Sequence, residues 1–208
     1  MKFIAIAAVS IDGVIGIDNE IPWRIPEDFK HFRNTTMGNV LLVGYNTYLS
    51  LPPKAFEGRD YIVLNGGNPF NHDDKSNIYQ FKDFATVYEL LSNDKSKLEK
   101  VFIAGGAMIY DTLIDYCDEA IITWVNKVIP NGNKKFPIDK LFANFEVIND
   151  GDWLKSSTGL LYKVTYYKKE NKYGINRHQM EKNNLKAKNA MNDSKENNEI
   201  QAETDNHS

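Results

Sequence analysis

Short apolar runs alternate with helix-patterned segments along most of this 208-residue chain. The apolar runs include FIAIAAV, NVLLVG, YIVLN, VFIAGG and EAIITWV, and the segments between them include PEDFKHFRNTT, DFATVYELL and AMIYDTLID. Because buried strands are short and apolar and crossover connections are usually helical, this order predicts an α/β fold with a largely parallel sheet. The final segments, FEVIND and LLYKVTYYKK, are expected to add antiparallel strands.

The composition of the chain changes near Glu170. From Asn171 to Ser208 Asn, Lys and Glu dominate, at 18 of the 38 residues, and Tyr173 is the only aromatic residue. Such a segment cannot bury a core. We therefore predict one folded domain over residues 1–170 and a polar tail over residues 171–208 that is disordered; the alternative is a short helix over 180–191 that docks on a partner.

Charge and cysteine content exclude several classes of protein. The formal net charge is −3, which does not predict the strongly basic face of a nucleic-acid-binding protein. Cys117 is the single cysteine and no Cys/His cluster has metal-ligand spacing, so we expect a reducing compartment, the cytoplasm, and a metal-free mechanism. No apolar stretch approaches the ~20 residues that span a bilayer, and MKFIAIAAVS is interpreted as a buried strand.

Asp28 is the first candidate for a functional side chain. A helix is expected to begin near Pro26, and an acidic residue in its first turn has an ordinary explanation, the helix dipole. However, at ~100° per residue Phe32 lies ~40° and Phe29 ~100° from Asp28, which places the carboxylate on the apolar face, whereas His31 is expected to face solvent. A buried carboxylate needs a partner, and a planar heterocycle with adjacent N–H donors would pair with both of its oxygens.

The loop before this helix carries bulky apolar residues, Ile21, Pro22 and Trp23. Loops are usually polar, so these residues indicate either a lid that excludes water from a site or a loop that simply packs on the core. The sequence leaves both interpretations open.

Two strand-to-helix junctions contain glycine. VFIAGGAMIYDTL has Gly105-Gly106 before its helix, and NVLLVGYNTYLSLP has Gly44 followed by Asn46 and Thr47. Glycine at such a junction brings backbone N–H groups close to a phosphate, and two junctions together can hold a pyrophosphate. Neither is the G-x-G-x-x-G fingerprint, so tight packing remains the alternative explanation.

Taken together, the ordered segments IAAVSIDGVIG, IPWRIPEDFKHF, VGYNTYLSLP, FEGR, IAGGAMIY, ITWV and KKFP resemble dihydrofolate reductase over about residues 1–168. The resemblance implies a single-domain, eight-stranded, mainly parallel twisted sheet with flanking helices. It also implies reduction of 7,8-dihydrofolate to 5,6,7,8-tetrahydrofolate by hydride transfer from NADPH, which supplies one-carbon units for thymidylate and purine synthesis. A monomer that also binds antifolate-type inhibitors is expected.

The resemblance further implies residue roles. Asp28 and Trp23 are the implied catalytic residues: Asp28 binds the pyrimidine edge of the pterin, and N5 is protonated through water admitted near Trp23. The other implied substrate contacts are Ile6, Ala7, Ala8, Phe32, Leu51, Phe56, Thr123 and Arg59, the last pairing with the glutamate carboxylate. The implied cofactor contacts are Ala8, Ile15, Gly16, Ile21, Gly44, Tyr45, Asn46, Thr47, Leu64, Asn65, Ala104, Gly105, Gly106, Ala107, Met108, Ile109 and Tyr110. A non-trans peptide at Gly105-Gly106 is among the expectations, because glycine pairs tolerate one.

The sequence departs from the family pattern at the cofactor end. Tyr45 and Met108 stand where the family often has basic residues, and Asn65 stands where it has Ser. These differences leave the choice between NADPH and NADH open. The candidates for supplying the missing charge are His72, Lys75 and Lys82.

Three further expectations complete the sequence analysis. Asn133 lies where many relatives have an acidic residue that latches the mobile loop, so the loop dynamics are expected to differ. A reductase of a riboflavin-pathway pyrimidine is the first alternative function, and a non-catalytic binding or structural protein that kept the fold is the second. The presence of Trp23, Asp28 and Arg59 favours folate chemistry over both.

Overall fold

Strands and helices alternate along the chain in the predicted order. The computed structural model describes residues 1–71, 76–93 and 98–170. The helices in this part are α1 (Pro26–Thr36), α2 (Tyr45–Ser50), α3 (Phe84–Asn93), α4 (Ala107–Leu113) and α5 (Ile138–Asn144), with 3-10 turns at Pro53–Phe56 and Ile114–Tyr116. The strands are β1 (Lys2–Ser10), β2 (Val14–Gly16), β3 (Val40–Gly44), β4 (Asp60–Leu64), β5 (Ile78–Phe81), β6 (Lys100–Ile103), β7 (Glu119–Val125), β8 (Lys134–Lys135), β9 (Phe145–Asp150), β10 (Leu154–Lys155) and β11 (Leu161–Lys169).

The main sheet runs in the order β10-β11-β7-β1-β6-β3-β4-β5. All neighbours from β7 to β5 are parallel, whereas β11 is antiparallel to β7, β9 and β10. β10 pairs with residues 161–162 of β11 and β9 with residues 165–169, so the two short strands share one edge position. The sheet is therefore eight positions wide, which confirms the predicted mainly parallel α/β fold.

The central strand β1 explains why an uninterrupted apolar run predicts a strand here. Its residues alternate between two core clusters: Phe3 and Ala5 belong to one, and Ile4 and Ile6 to the other. Because side chains in a strand point to opposite faces in turn, a strand covered on both faces must be apolar at every position.

Several elements escape the sequence prediction. They are β2, β5, β8, β10 and α5. The segment PNGNKK was expected to be a surface loop, and this is wrong for its last two residues, which form β8 and pair with β2. A Cβ on Gly132 would lie 2.3 Å from Cγ1 of Val14, so this segment packs closely on the strand. Strand pairing between segments about 120 residues apart leaves no local signal in a two-residue strand.

Residues Met1–Glu170 form one compact unit. The predicted tail over 171–208, with its alternative helix over 180–191, lies outside the described residues, and so do His72 and Lys75. Among the helices of the described part, none is long and apolar enough to cross a bilayer.

Candidate active site

The two glycine-containing junctions lie side by side at the carboxyl edge of the sheet. The N–H of Gly44, at the end of β3, donates to the carbonyl of Gly105, which follows β6, at 2.8 Å. Oγ1 of Thr47 lies 3.0 Å from the position that a Cβ on Gly106 would occupy. The starts of α2 and α4 are therefore adjacent. Ligands of open α/β sheets bind at this edge.

The Gly105-Gly106 peptide is cis, as expected from the sequence. Gly105 has φ +96°, and a Cβ there would lie 2.9 Å from Cε2 of Tyr110. The hydroxyl of Tyr110 donates to the Ile6 carbonyl at 2.7 Å, and burial raises the pKa of Tyr110, so its hydroxyl keeps its proton. The tyrosine thus ties α4 to β1 directly beneath the glycine turn.

This arrangement suits the pyrophosphate of a dinucleotide. The first N–H groups of a helix have no partners within it, and glycine leaves the backbone accessible to phosphate oxygens. The side chains of Thr47 and Tyr110 close the space on the protein side of the two turns. The predicted cofactor residues found on these junctions and the first turns of α2 and α4 are Gly44, Tyr45, Asn46, Thr47, Ala104, Gly105, Gly106, Ala107, Met108, Ile109 and Tyr110.

Asp28 lies in the first turn of α1, after Pro26, and is partly buried. Loss of hydration raises the pKa of the Asp28 carboxyl, while the Thr123 hydroxyl and the charge of His31 act in the opposite direction. Thr123 is buried on β7, directly opposite Ala8 of β1. The structure therefore places the predicted carboxylate, its supporting hydroxyl and the floor residues of β1 in one site.

Two expectations about the faces of α1 are wrong. Phe29 is 53% exposed, so it does not flank the Asp28 carboxylate. His31 is half-buried, with its ring 6.5 Å from that of Tyr166, and its buried Nε2 has no hydrogen-bond partner in the described part of the chain. The reason is helical phase: the third residue after Asp28 lies only ~60° from it, on the side opposite to Phe32.

Phe32, Leu51 and Phe56 are partly buried against one core cluster, with Arg59 at its edge. The Arg59 side chain is 6% exposed, and its Cζ lies 5.9 Å from the ring centroid of Phe32. Nη1 donates to Oγ1 of Thr36 at 3.1 Å, whereas the buried Nε has no partner among the described residues. A guanidinium in this state is suited to a carboxylate ligand, because it has an unused donor and no salt bridge to any carboxylate of the described residues.

The loop before α1 is fixed at both ends. Trp23 is 9% exposed and packs in a cluster with Val14, while Ile21 is 52% exposed. Asn133 accepts from the N–H of Asp18 at 2.8 Å and donates to the Asp18 carboxylate at 2.7 Å. The burial of Trp23 fits the interpretation that this loop packs on the core. The amide of Asn133 holds the loop through Asp18, at a position where many family members have an acidic residue. The predicted cofactor residues Ile15 and Gly16 lie in β2, on the strand that precedes this loop.

Comparison with known proteins identifies the family. The family model described as dihydrofolate reductase matches residues 2–169. The chain belongs to the dihydrofolate reductase family. It is 35% identical over 169 residues to the dihydrofolate reductase of Mycoplasma pneumoniae, covering 79% of this chain and 96% of that protein. It is 31% identical to the dihydrofolate reductase of Mycoplasma genitalium, covering 80% and 98%, and 31% identical to dihydrofolate reductase type 9 of Escherichia coli, covering 76% and 89%.

Three residues of the proposed cofactor site differ from the usual pattern of the dihydrofolate reductase family, and the structure shows the surroundings of each. Tyr45 packs its ring against Phe70, with centroids 4.7 Å apart, and Met108 is 76% exposed. Nδ2 of Asn65, which follows Leu64 at the end of β4, donates to Oε1 of Gln80 at 3.1 Å. None of these predicted cofactor contacts carries charge.

Sequence reasoning missed the Asn133 latch and the hydrogen bond from Tyr110 to the Ile6 carbonyl. Each joins residues more than 100 positions apart, and no local pattern marks the pairing. The departure from the family pattern at Asn133 was the one available signal for the latch.

Proposed function

We propose that this chain reduces 7,8-dihydrofolate to 5,6,7,8-tetrahydrofolate with NADPH and so supplies one-carbon metabolism for thymidylate and purine synthesis. The observation that carries the proposal is the partly buried Asp28 carboxyl beside Thr123, on the opposite side of β1 from the two glycine junctions. Among the described residues none forms a salt bridge with this carboxylate, and the charge of His31 only partly offsets its loss of hydration. The amidine-like edge of a pterin supplies the missing donors.

Each residue of the site has a distinct task. Asp28 binds and orients the pyrimidine edge and stabilises positive charge on the ring, and Thr123 supports the charged carboxylate. Bound NADPH supplies the hydride. Trp23 and the loop before α1 limit water to the path that protonates N5, and Arg59 holds the glutamate carboxylate.

A direct assay tests the proposal. Reduced-nicotinamide absorbance is followed with dihydrofolate, using NADPH and NADH in parallel. We expect turnover with NADPH. No turnover with either nucleotide would overturn the reductase assignment, and turnover of a riboflavin-pathway pyrimidine in place of dihydrofolate would favour the alternative reductase.

Replacing Thr123 with Val is expected to move the acid limb of ligand binding to higher pH. Binding of a basic 2,4-diaminopyrimidine inhibitor requires the Asp28 carboxylate, which exists above its folded-state pKa. Burial already raises that pKa, and the Thr123 hydroxyl lowers it, so its removal raises the pKa further. Inhibitor affinity measured against pH gives the midpoint of the limb. An unchanged midpoint would show that Thr123 does not act on Asp28.

Replacing Arg59 with Lys is expected to raise the KM for dihydrofolate about tenfold with little change in kcat, because a single ammonium cannot form the two-pronged pair with a carboxylate. Steady-state kinetics with a dihydropterin that lacks the glutamate provide the control, since that substrate should be unaffected. An equal rise in KM for both substrates would contradict the assigned role.

We also propose that residues 1–170 are the whole catalytic unit, that the tail over 171–208 takes no part in catalysis, and that the enzyme acts as a cytoplasmic monomer. The single cysteine and the polar composition of the tail support these proposals. Truncation after Glu170 should leave kcat and KM within about twofold of the full chain. Size-exclusion chromatography should give the mass of one chain for both forms. A large loss of activity on truncation would make the tail part of the site.

A further inference from the structure

His31 lies on α1, one helical turn after Asp28. Residues three positions apart on a helix are neighbours on its surface, so the imidazole and the Asp28 carboxylate lie next to each other, on the side away from Phe32. The His31 side chain is half-buried, and its Nε2 is buried without a hydrogen-bond partner among the described residues. A buried polar atom without a partner costs free energy, so the position of this nitrogen requires an explanation.

The sheet beneath α1 holds His31 in the same place as the helix does. The His31 ring makes an edge contact with Tyr166 of β11, with centroids 6.5 Å apart and the ring planes at 83°. Val164, two residues earlier on β11, pairs with Thr123 of β7, whose hydroxyl acts on Asp28. Because side chains two positions apart on a strand share a face, His31 and Asp28 rest on adjacent positions of one sheet face. Tertiary packing therefore fixes the imidazole beside the carboxylate.

Two carboxylates lie one turn before His31, and their surroundings differ. Oε1 of Glu27 accepts from the N–H of Ser157 at 2.8 Å, and hydrogen bonds from its own backbone N–H and from Ser157 lower the pKa of Glu27. The pKa of Asp28 is raised by loss of hydration, which the Thr123 hydroxyl and the charge of His31 counteract. Asp28 is therefore the carboxylate that a positive neighbour stabilises, because N–H donors already stabilise the ionised form of Glu27.

The other titratable groups on this face of the sheet do not compete for His31. They are Tyr162, Tyr166, Lys168, Glu119 and Glu146. Loss of hydration raises the pKa of Tyr162, so its hydroxyl keeps its proton. Lys168 is the register partner of both glutamates, and opposite charges directly across a sheet attract each other. Glu119 also forms an ion pair with Lys2. The acidic group left for the imidazole is Asp28.

We propose that His31 is a positioning residue of this site: its cationic imidazole keeps Asp28 in the ionised form that receives the pyrimidine edge. Histidine is a cation on the acid side of neutrality, where a buried carboxyl otherwise takes up a proton. A protonated Asp28 would present an O–H donor and could not accept from two ring donors at once. The inference rests on the proposed function for the identity of the ligand, whereas the pairing of His31 with Asp28 belongs to the free protein.

Carbon-13 NMR of the free, full-length chain, labelled at the aspartate carboxyl carbons, tests the pairing. Asp28→Asn identifies the Asp28 resonance, and a pH titration gives its midpoint in each protein. His31→Gln keeps a polar side chain but removes the charge, and it should raise the Asp28 midpoint by about half a pH unit. Lys30→Gln is the matched control, because Lys30 is an exposed cation on the other side of the same helix. Its loss should move the midpoint by less than about 0.2 pH unit.

Two further variants separate charge from packing. His31→Phe keeps an aromatic ring against Tyr166 and should raise the Asp28 midpoint as His31→Gln does. His31→Lys keeps a positive charge and should leave the midpoint near its wild-type value. A wild-type midpoint in both uncharged variants would overturn the proposal, and so would an equal rise in His31→Lys.

Ligand binding gives a second readout. The acid limb of affinity for a basic 2,4-diaminopyrimidine should move to higher pH in His31→Gln, in the same direction as the NMR midpoint, because the ligand requires the ionised carboxylate. A loss of affinity that is equal at every pH would indicate a purely structural role for His31 and would contradict the proposal. The NMR titration requires no substrate, so a failure of the reductase assignment and a failure of this pairing give different results.

Discussion

Replacing Asp28 with Asn should lower kcat by roughly 10²–10³-fold while the protein remains folded. The amide keeps the shape of the side chain but removes the negative charge that binds the pyrimidine edge and stabilises positive charge on the ring. The Asn amide also places its own N–H donors against a pyrimidine edge that offers N–H donors, so the two cannot hydrogen-bond there. Steady-state kinetics at saturating NADPH measure the loss, and circular dichroism checks the fold.

The same substitution should raise the melting temperature by a few degrees at neutral pH. The folded-state pKa of Asp28 is raised by burial, so above that pKa the ionised carboxylate destabilises the native state relative to the unfolded chain. This cost disappears as the pH falls below the unfolded pKa, where both states hold the neutral acid. The difference in Tm between the two proteins should therefore shrink toward low pH.

Asp139→Asn provides the matched control, because Asp139 is an exposed acidic residue in the first turn of α5. Its loss removes only a favourable interaction with the helix dipole, so Tm should fall slightly and kcat should not change. If Asp28→Asn behaved in the same way, the ordinary explanation of an acidic residue in a first turn would suffice and the catalytic assignment would be wrong.

Replacing Gly105 with Ala should destabilise the protein by about 3 kcal/mol and greatly weaken NADPH binding. Two costs add. The φ of +96° is unfavourable for a residue with a Cβ, at about 1–2 kcal/mol, and the new methyl would lie 2.9 Å from the Tyr110 ring, where overpacking typically costs about 1–3 kcal/mol. Tyr110 cannot move freely, because its hydroxyl is bonded to the Ile6 carbonyl.

Gly159→Ala separates the two costs. Gly159 has φ +88°, but a Cβ there would meet nothing within 4 Å. Its replacement should cost only the backbone contribution, about 1–2 kcal/mol, and should leave NADPH binding unchanged. Urea unfolding and nucleotide titration of both variants make the comparison. Equal losses of stability would show that Tyr110 accommodates the methyl group and that the close contact is unimportant.

Much of the fold could be predicted because its central strands are buried on both faces. β1, β3, β6 and β7 appear as continuous apolar runs, and this pattern holds wherever the strand sits in the sheet. β5 was missed because only Ile78 of its four residues is buried, which leaves no apolar run to detect. β8 was missed because two lysines carry no strand pattern at all.

The candidate site could be predicted to a similar extent. The helical phase of Asp28 and the glycines of the two junctions are local features, and the ordered motifs connected them to one family. The prediction for His31 was wrong because only the side of Asp28 that carries Phe32 was treated as the inward face of α1. The inward face also extends to the other side of Asp28, where His31 lies. The burial of Arg59, whose Nε has no partner within the described ranges, depends on how α1 packs against the segment after α2. No local pattern specifies that packing.

The sequence by itself thus determined the order of α1 to α4 and of the longer strands, the inward position of Asp28 and the glycine turns that approach a phosphate, because each depends on periodicity or backbone freedom within a few residues. Only the tertiary structure decided which distant groups meet: Thr123 with Asp28, Asn133 with Asp18, and the Lys82 stem with Gly67. The reason is that such contacts depend on strand order and register. Those are settled by the packing of the whole sheet rather than by any one segment.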